Sequence, residues 1–237
     1  MSKLKQIIAL GGGGFSMEPE NPLLDQYILK QSGKKKPKVC FVPTASADST
    51  DYTLRFYKAM AQFSCTPSAL PLFMPPTSDI RSYVLEKDII YVGGGSTKNL
   101  MALWREWGLD NILREAWNQG IVLAGISAGS LCWFEHGITD SIPGDLTPIS
   151  CLSFLKGSNC PHYSAEPKRR PFFQRYIKEK QISSGIAADD GVALHYIGRE
   201  LKKVVSSRPH AQAYRVELKR NQVVETPITP IPAQTLL

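Results

Sequence analysis

The chain has few cysteines, and their spacing excludes a common kind of metal site. Five cysteines occur among 237 residues, and no two of them form a C-x-x-C pair. A zinc site is therefore not expected, and the chemistry predicted below requires neither a metal nor an organic cofactor. Cys40 and Cys132 lie inside apolar runs, as is typical of small buried side chains. The odd cysteine count, together with a start that lacks a signal-peptide pattern, predicts a cytoplasmic protein.

Long apolar runs are also missing, as are stretches in which basic and aromatic residues alternate. No run is long enough to cross a bilayer, so we predict no membrane partner. The formal net charge of +7 comes partly from Lys34-Lys35-Lys36 and Lys168-Arg169-Arg170. Without interleaved aromatic residues this charge does not predict a nucleic-acid partner. No repeat or low-complexity linker divides the sequence, so residues 1–237 are interpreted as one domain, either monomeric or homodimeric.

Apolar runs alternate with helical patterns over the first two thirds of the chain. The predicted strands are 6–10, 39–42, 69–73, 88–92 and 121–124, and the predicted helices are 23–31, 52–63, 97–107 and 109–117. Such alternation predicts an α/β fold, mainly a parallel sheet with helices on both faces. Pro71 places the strand at 69–73 on the sheet edge.

The last third follows a different pattern. Residues 192–197, 202–206 and 213–217 read as strands, with 223–225 after a turn, and predict a C-terminal antiparallel extension of the same domain. The proline-containing tail from Pro227 onward is expected to be irregular.

The pentapeptide Gly125-Ile126-Ser127-Ala128-Gly129 stands between a strand pattern and a helix pattern, which we place at residues 130–134. This is the arrangement of a nucleophile elbow, a tight turn that lifts a serine hydroxyl above the sheet. Small neighbours are required there, and the two glycines and Ala128 meet that requirement. Ser127 is therefore the candidate nucleophile, and the Ala128 N–H is a candidate oxyanion donor.

A serine nucleophile needs a base. Of the four histidines, His136 is predicted on the elbow helix, too far from Ser127, and His195 lies within an apolar strand. His210 follows Pro209 in a turn. His162 lies in an irregular segment before a polar loop, where a base carried by a loop is expected.

The acid that would orient this base is left open between two places in the sequence. Asp140 follows the elbow helix, and Asp189-Asp190-Gly191 lies between two short apolar runs. The second group is also a common turn sequence.

A second oxyanion donor is expected from Gly93-Gly94-Gly95, which ends a strand just before a helix. A phosphate-binding loop is the competing interpretation. It is not favoured, because no lysine follows in the P-loop register and no acidic residue completes a dinucleotide fingerprint.

Several motifs, taken in order, resemble the peptidase E family of aspartyl dipeptidases, which is related to cyanophycinase. They are Gly11-Gly12-Gly13-Gly14, Val42-Pro43-Thr44-Ala45-Ser46, Tyr91-Val92-Gly93-Gly94-Gly95-Ser96-Thr97, the elbow, and Pro161-His162-Tyr163. The resemblance spans most of the chain. It implies a serine peptidase on a scaffold like that of class I glutamine amidotransferases, with a flavodoxin-like sheet.

The resemblance implies Ser127 as the nucleophile, His162 as the general base, and oxyanion donors on Ala128 and on Gly94 or Gly95. One form of the family places the acid at Asp140. The cyanophycinase branch uses a glutamate in a segment that aligns with residues 185–194, which puts Asp190 in that role. We favour Asp190.

Family members cleave dipeptides that begin with aspartate, and Arg169 or Arg170 could neutralise that side chain. Their spacing from His162 departs from the family pattern, which puts strict aspartate specificity in doubt. Cyanophycinase-like isopeptide hydrolysis and a non-catalytic binding protein on the same scaffold remain alternatives. An α/β-hydrolase esterase is disfavoured, because an H-G-G motif is missing and only His210 could serve as its base.

Overall fold

The structure, a computed structural model, describes residues 4–237, which form two β-sheets and eight α-helices. The strands of the larger sheet, in spatial order, are β14 (Ile231–Pro232), β11 (Glu200–Ser206), β10 (Val192–Ile197), β1 (Gln6–Leu10), β5 (Val122–Ile126), β4 (Ile89–Val92), β2 (Lys38–Val42) and β3 (Thr66–Ala69). The five strands from β1 to β3 are parallel, whereas β10 is antiparallel to both β1 and β11. The predicted mainly parallel sheet with an antiparallel extension is confirmed.

Helices cover both faces of this sheet, because its central strands are apolar on both sides. Ile7 and Ala9 belong to one core cluster, and Ile8 and Leu10 belong to the other, as the alternation of side chains along a strand requires. One face is covered by α1 (Gly14–Met17), α2 (Leu23–Gln31) and α3 (Thr50–Met60). The opposite face is covered by α4 (Ile80–Leu85), α5 (Thr97–Glu106), α6 (Leu109–Asn118) and α7 (Ala128–Leu131).

A second, six-stranded sheet carries the rest of the extension. Its order is β13 (Gln222–Ile228), β12 (Ala213–Lys219), β9 (Gly185–Ala188), β8 (Ser158–Cys160), β6 (His136–Thr139) and β7 (Thr147–Ser150). The last helix, α8 (Arg169–Lys178), packs on it through Phe173 and Ile177, which share a buried cluster with Ile138 and Val216. The sheet is mixed, because β8 lies parallel to both β6 and β9, whereas the other pairs of strands are antiparallel.

Two local predictions, the bounds of the edge strand and the length of the elbow helix, were wrong. The edge strand is Thr66–Ala69, and the chain leaves the sheet afterwards because the N–H groups of Leu72 and Phe73 donate to the Asp48 carboxylate. The elbow helix is a single turn, so that His136 begins strand β6.

The tail is also more regular than predicted. Strand β13 includes Pro227, which an edge strand tolerates because one side of it has no partner to bond. A further short strand, β14, follows at Ile231–Pro232.

Candidate active site

Ser127 occupies a strained turn between β5 and α7. Its φ of 57° and ψ of −113° lie outside the ordinary regions for a residue with a side chain, and its N–H donates to Leu10 O at 3.2 Å. The turn is possible because Gly125 packs against the backbone of Gly129, and Gly129 against Val92 O, so closely that a methyl group on either glycine would overlap a carbonyl. The predicted elbow geometry is therefore present.

His162 lies beside this serine on the loop after β8. It also has a positive φ of 54°, and its N–H donates to Gly11 O at 3.1 Å, which ties the loop to the end of β1. Its Nε2 is 2.9 Å from Ser127 Oγ, and its Nδ1 is 2.6 Å from Asp190 Oδ1. With Nδ1 protonated toward the carboxylate, Nε2 is free to accept the serine proton.

The two candidate acids lie in different surroundings. Asp190 is close to His162, and its side chain is mostly buried. Asp140 is 68% exposed, and it makes a long ion pair of 3.8 Å with Arg169. The structure thus places Asp190, and not Asp140, against the imidazole.

Gly12, in the glycine-rich turn after β1, leaves room for the histidine and its carboxylate partner. A methyl group on Gly12 would lie 3.1 Å from His162 Nδ1 and would overlap the Asp190 carboxylate. Position 12 must therefore be glycine for His162 and Asp190 to form their hydrogen bond.

Of the predicted oxyanion donors, Ala128 follows the serine in the chain and Gly94 lies against it. A methyl group on Gly94 would be 3.3 Å from Ser127 Cβ, so the two backbones are adjacent. The Gly94 N–H, however, donates to the Tyr52 hydroxyl at 3.2 Å, and that hydroxyl donates to Ser16 Oγ at 2.7 Å. Within residues 4–237, the N–H groups of Gly95 and Ala128 have no such acceptor.

Both predicted substrate-binding arginines lie on α8, but only one presents its charge to solvent. Arg169 is almost completely buried and donates to Glu166 and to Ile138 O. Arg170 is 41% exposed. Its guanidinium lies 4.8 Å from the ring centroids of both Tyr163 and Tyr214.

Arg170 also has two polar neighbours. It donates to Ser164 Oγ at 3.3 Å, two residues from His162, and it lies 3.6 Å from a Glu225 oxygen. Part of its positive charge is thus already compensated.

The remaining histidines lie elsewhere. His195 is buried in β10 between the Tyr27 hydroxyl at 2.7 Å and the Gln6 amide oxygen at 3.0 Å. Burial lowers its pKa to about 4, which suits a neutral structural residue. His210 lies in the loop between β11 and β12.

Sequence reasoning missed a buried polar group under the glycine-rich turn. Asp25 is completely buried, and burial raises its pKa to about 7. A methyl group on Gly14 would lie 2.9 Å from the Tyr91 hydroxyl and 3.2 Å from Asp25 Oδ1. Within residues 4–237 neither of these two oxygens has a hydrogen-bond partner of good geometry. A lone acid in an amphipathic helix pattern gives no signal of this environment.

Membrane-spanning helices and clusters of metal ligands were both sought in the described part of the chain. No helix within residues 4–237 combines the length and the apolar character needed to cross a membrane. In the same residues, no three metal-ligating side chains of His, Cys, Asp or Glu are grouped closely enough to hold an ion.

The fold and the site together define an α/β protein with a serine, a histidine and an aspartate in one hydrogen-bonded chain at the carboxyl edge of a parallel sheet. Residues 7–204 match the model of peptidase family S51, and the chain belongs to that family.

Relatives agree with this assignment. The chain is 58% identical over 225 residues to the "Uncharacterized peptidase YgaJ" of Bacillus subtilis (strain 168), covering 95% of this chain and 97% of the relative. Two crystal structures share the fold. A candidate peptidase E protein from Listeria monocytogenes EGD-e has a TM-score of 0.61 and 20% identity, covering 95% of this chain and 100% of that one. A peptidase from an acI-B1 Actinobacterium has a TM-score of 0.65 and 18% identity, covering 97% and 96%.

Proposed function

We propose that this peptidase is a serine enzyme that hydrolyses short peptides, with dipeptides that begin with aspartate as its preferred substrates. The observation that carries the proposal is the chain of two hydrogen bonds, Ser127 Oγ to His162 Nε2 and His162 Nδ1 to Asp190 Oδ1. A hydroxyl, an imidazole and a carboxylate in this order are the groups that acyl transfer by a serine uses.

In the first half of the reaction, Ser127 Oγ attacks the carbonyl carbon of the scissile bond while His162 Nε2 takes the hydroxyl proton. The C–N bond of the tetrahedral intermediate then breaks, and His162 returns the proton to the leaving amine. Asp190 keeps the imidazole in the required tautomer and stabilises its charged form.

In the second half, a water molecule attacks the ester carbon while the same imidazole accepts a proton from it. The ester bond breaks, and the proton returns to Ser127 Oγ. The free acid leaves, and the serine is regenerated.

The negative charge on the carbonyl oxygen would be stabilised by backbone N–H groups. Ala128 at the start of α7 and Gly95 are the more available of the predicted donors, since neither N–H has an acceptor within residues 4–237. The Gly94 N–H could contribute only if its hydrogen bond to the Tyr52 hydroxyl were broken. We therefore assign the oxyanion hole to Ala128 and Gly95, with Gly94 as a supporting backbone segment.

For an acidic first residue, Arg170 is the better of the two candidate arginines. Its guanidinium is half-exposed and lies near Ser164, on the same loop as His162, whereas that of Arg169 is buried and already bonded. Because Glu225 compensates part of the Arg170 charge, selectivity for aspartate is expected to be moderate.

Hydrolysis of a small dipeptide panel tests the proposal. Asp-X, Glu-X, Asn-X and Ala-X peptides are compared, with Ser127→Ala as the inactive variant and Ser130→Ala as the matched control. Ser130 lies on the same turn, but its hydroxyl bonds Asn159. We expect cleavage of Asp-X by the wild type and the control, and none by Ser127→Ala.

Labelling with a fluorophosphonate separates the alternatives. If Ser127 is labelled but no dipeptide is cleaved, the nucleophile stands and the substrate is of another kind, such as an isopeptide. If Ser127→Ala retains full peptidase activity, or if the wild type is neither labelled nor active, the proposal is wrong, and in the second case a non-catalytic binding protein on the same scaffold is favoured.

A further inference from the structure

Asp190 lies in the short connection between β9 and β10, and the loop between β11 and β12 bonds the residues on either side of it. Before it, the Asp189 N–H donates to Gln212 O, and the Gln212 N–H donates to an Asp189 carboxylate oxygen, both at 3.0 Å. After it, the Ser207 N–H donates to Gly191 O at 2.9 Å. The loop between β11 and β12 therefore holds the backbone on both sides of the acid.

The glycine-rich turn after β1 bonds the same connection. The Gly191 N–H donates to Gly12 O at 3.0 Å, and the Gly11 N–H donates to Val192 O at 2.9 Å. Gly12 also leaves the space in which the Asp190 carboxylate meets the imidazole. The position of that carboxylate thus depends on two segments, the turn and the loop, that are far apart in sequence.

An ion pair joins these two segments. Glu18 comes directly after α1, which begins at the end of the turn, and Arg208 lies in the loop. The Arg208 Nε donates to Glu18 Oε1 at 2.5 Å. The Ser207 hydroxyl donates to the other carboxylate oxygen at 3.0 Å. Two neighbouring residues of the loop therefore bind one carboxylate, and only 12% of the Glu18 side chain is exposed.

The pair lies against the backbone of both segments. A methyl group on Gly13 would be 2.6 Å from Glu18 Oε2, and a methyl group on Gly191 would be 2.7 Å from Arg208 Cγ. These two glycines have positive φ values of 97° and 79°, which a residue with a side chain rarely adopts. The carboxylate therefore packs on the turn, and the arginine stem packs on the residue that follows Asp190.

Burial distinguishes this ion pair from those at the open surface. Fully exposed pairs contribute little, because water screens them and both side chains lose freedom. Without the Arg208 guanidinium, a mostly buried carboxylate would lack its charged partner, which is unfavourable. We expect Glu18 then to turn toward water. Because its carboxylate packs on Gly13, this movement would change the turn that bonds the connection of Asp190.

We propose that Glu18 and Arg208 are positioning residues for the reaction. Their ion pair holds the turn and the loop together around Asp190, so that its carboxylate stays within hydrogen-bond distance of His162. Both residues act through Asp190, and neither is assigned a contact with the substrate. This inference rests on the proposed function, because it assumes that Ser127 is the nucleophile and that His162 is its base.

The kinetics of three single variants and one double variant test this proposal. With the best peptide, Arg208→Ala and Glu18→Gln should each lower kcat by about 10–100-fold with little change in KM, as a small misplacement of a catalytic group does. Arg208→Lys keeps the charge and should retain most of the activity. The double variant Glu18→Gln/Arg208→Ala should lose no more than either single variant, because both changes break the same pair.

A second readout needs no peptide. The rate at which a fluorophosphonate labels Ser127 should fall in parallel with kcat. Urea denaturation shows which variants are folded. Glu18→Gln keeps the shape of the side chain and an acceptor for the Ser207 hydroxyl, so it decides the question if Arg208→Ala does not fold.

Arg81→Ala is the matched control. The Arg81 Nε donates to a Glu115 carboxylate oxygen at 2.9 Å, which makes an arginine–glutamate pair of the same kind. That pair joins α4 to α6, and neither helix carries a residue of the triad. The control should therefore keep the wild-type kcat and labelling rate.

The possible outcomes separate the two proposals. Folded variants of Glu18 and Arg208 with wild-type kcat and labelling rate, or with a raised KM alone, overturn the positioning role and leave the proposed function standing. Losses that multiply in the double variant also overturn it, since the two residues would then act independently. If Ser127 is labelled but no peptide is cleaved, the labelling rates decide the positioning role. A wild type that is neither labelled nor active overturns both proposals.

Discussion

Asp189 and Asp190 are neighbours in sequence, but their carboxylates bind different partners. Asp190 lies 2.6 Å from His162 Nδ1. Asp189 accepts the Ser164 N–H at 3.1 Å and the Gln212 N–H at 3.0 Å. One residue thus contacts the imidazole, and the other anchors the loop that carries it. The interpretation of this sequence as an ordinary turn captured neither role.

Replacing Asp190 by Asn should lower kcat by about 10⁴-fold, because the amide would favour the wrong histidine tautomer while the fold stays intact. Asp140→Asn is the matched control. Because the Asp140 side chain is exposed and makes only a long ion pair with Arg169, this variant should have activity near that of the wild type. Steady-state kinetics on the best peptide measure both. Equal losses in the two variants would mean that Asp190 is not the orienting acid.

Replacing Asp189 by Ala should destabilise the protein by about 1–3 kcal/mol, because two backbone N–H groups lose a buried acceptor. Urea denaturation measures this change. Asp189→Asn keeps one acceptor oxygen and should fall between Ala and the wild type. A free energy of unfolding that is the same in all three proteins would contradict the anchoring role.

Replacing Tyr52 by Phe should lower kcat about tenfold with little change in KM. This decrease in kcat is smaller than that expected when an oxyanion donor is removed completely. The hydroxyl bridges the Gly94 N–H and Ser16 Oγ, and without it the loop that carries Gly95 loses one of its anchors. Tyr57→Phe on the same helix is the control. A rise in KM with unchanged kcat would indicate a role in substrate binding instead.

The buried acid Asp25 predicts a pH dependence of stability. Its pKa is raised from 3.8 to about 7, so the folded state binds more protons than the unfolded state between these values. The stabilisation by the protonated acid is therefore full below about pH 4 and is lost as the pH rises to about 7, a change on the order of 4 kcal/mol.

Asp25→Asn should remove this loss. The stability of the variant relative to the wild type should therefore be greater at pH 8 than at pH 4. Melting temperatures across pH 4–8 measure the effect. Asp51→Asn, at an exposed position on α3, should follow the wild-type curve. A wild-type curve parallel to that of Asp25→Asn would show that Asp25 is not protonated in the fold.

Much of the larger sheet could be predicted, because its strands are continuous apolar runs followed by glycine or proline turns. The break between α5 and α6 could be predicted as well. Gly108 has a φ of 63°, which ends one helix and starts the next. The second sheet was harder, because β6 and β8 have only four and three residues and each depends on partners distant in sequence. Short strands carry too little pattern to be recognised alone.

The sequence by itself determined the elbow, since residues 125 and 129 must be glycine for the backbone at Ser127 to turn as it does. It also determined the alternation that builds a parallel sheet. Only the tertiary structure decided which acid meets His162, that Tyr52 occupies the Gly94 N–H, and that Asp25 is buried under Gly14. The physical reason is that local pattern fixes backbone conformation, whereas contacts between side chains far apart in sequence depend on how strands and loops pack together.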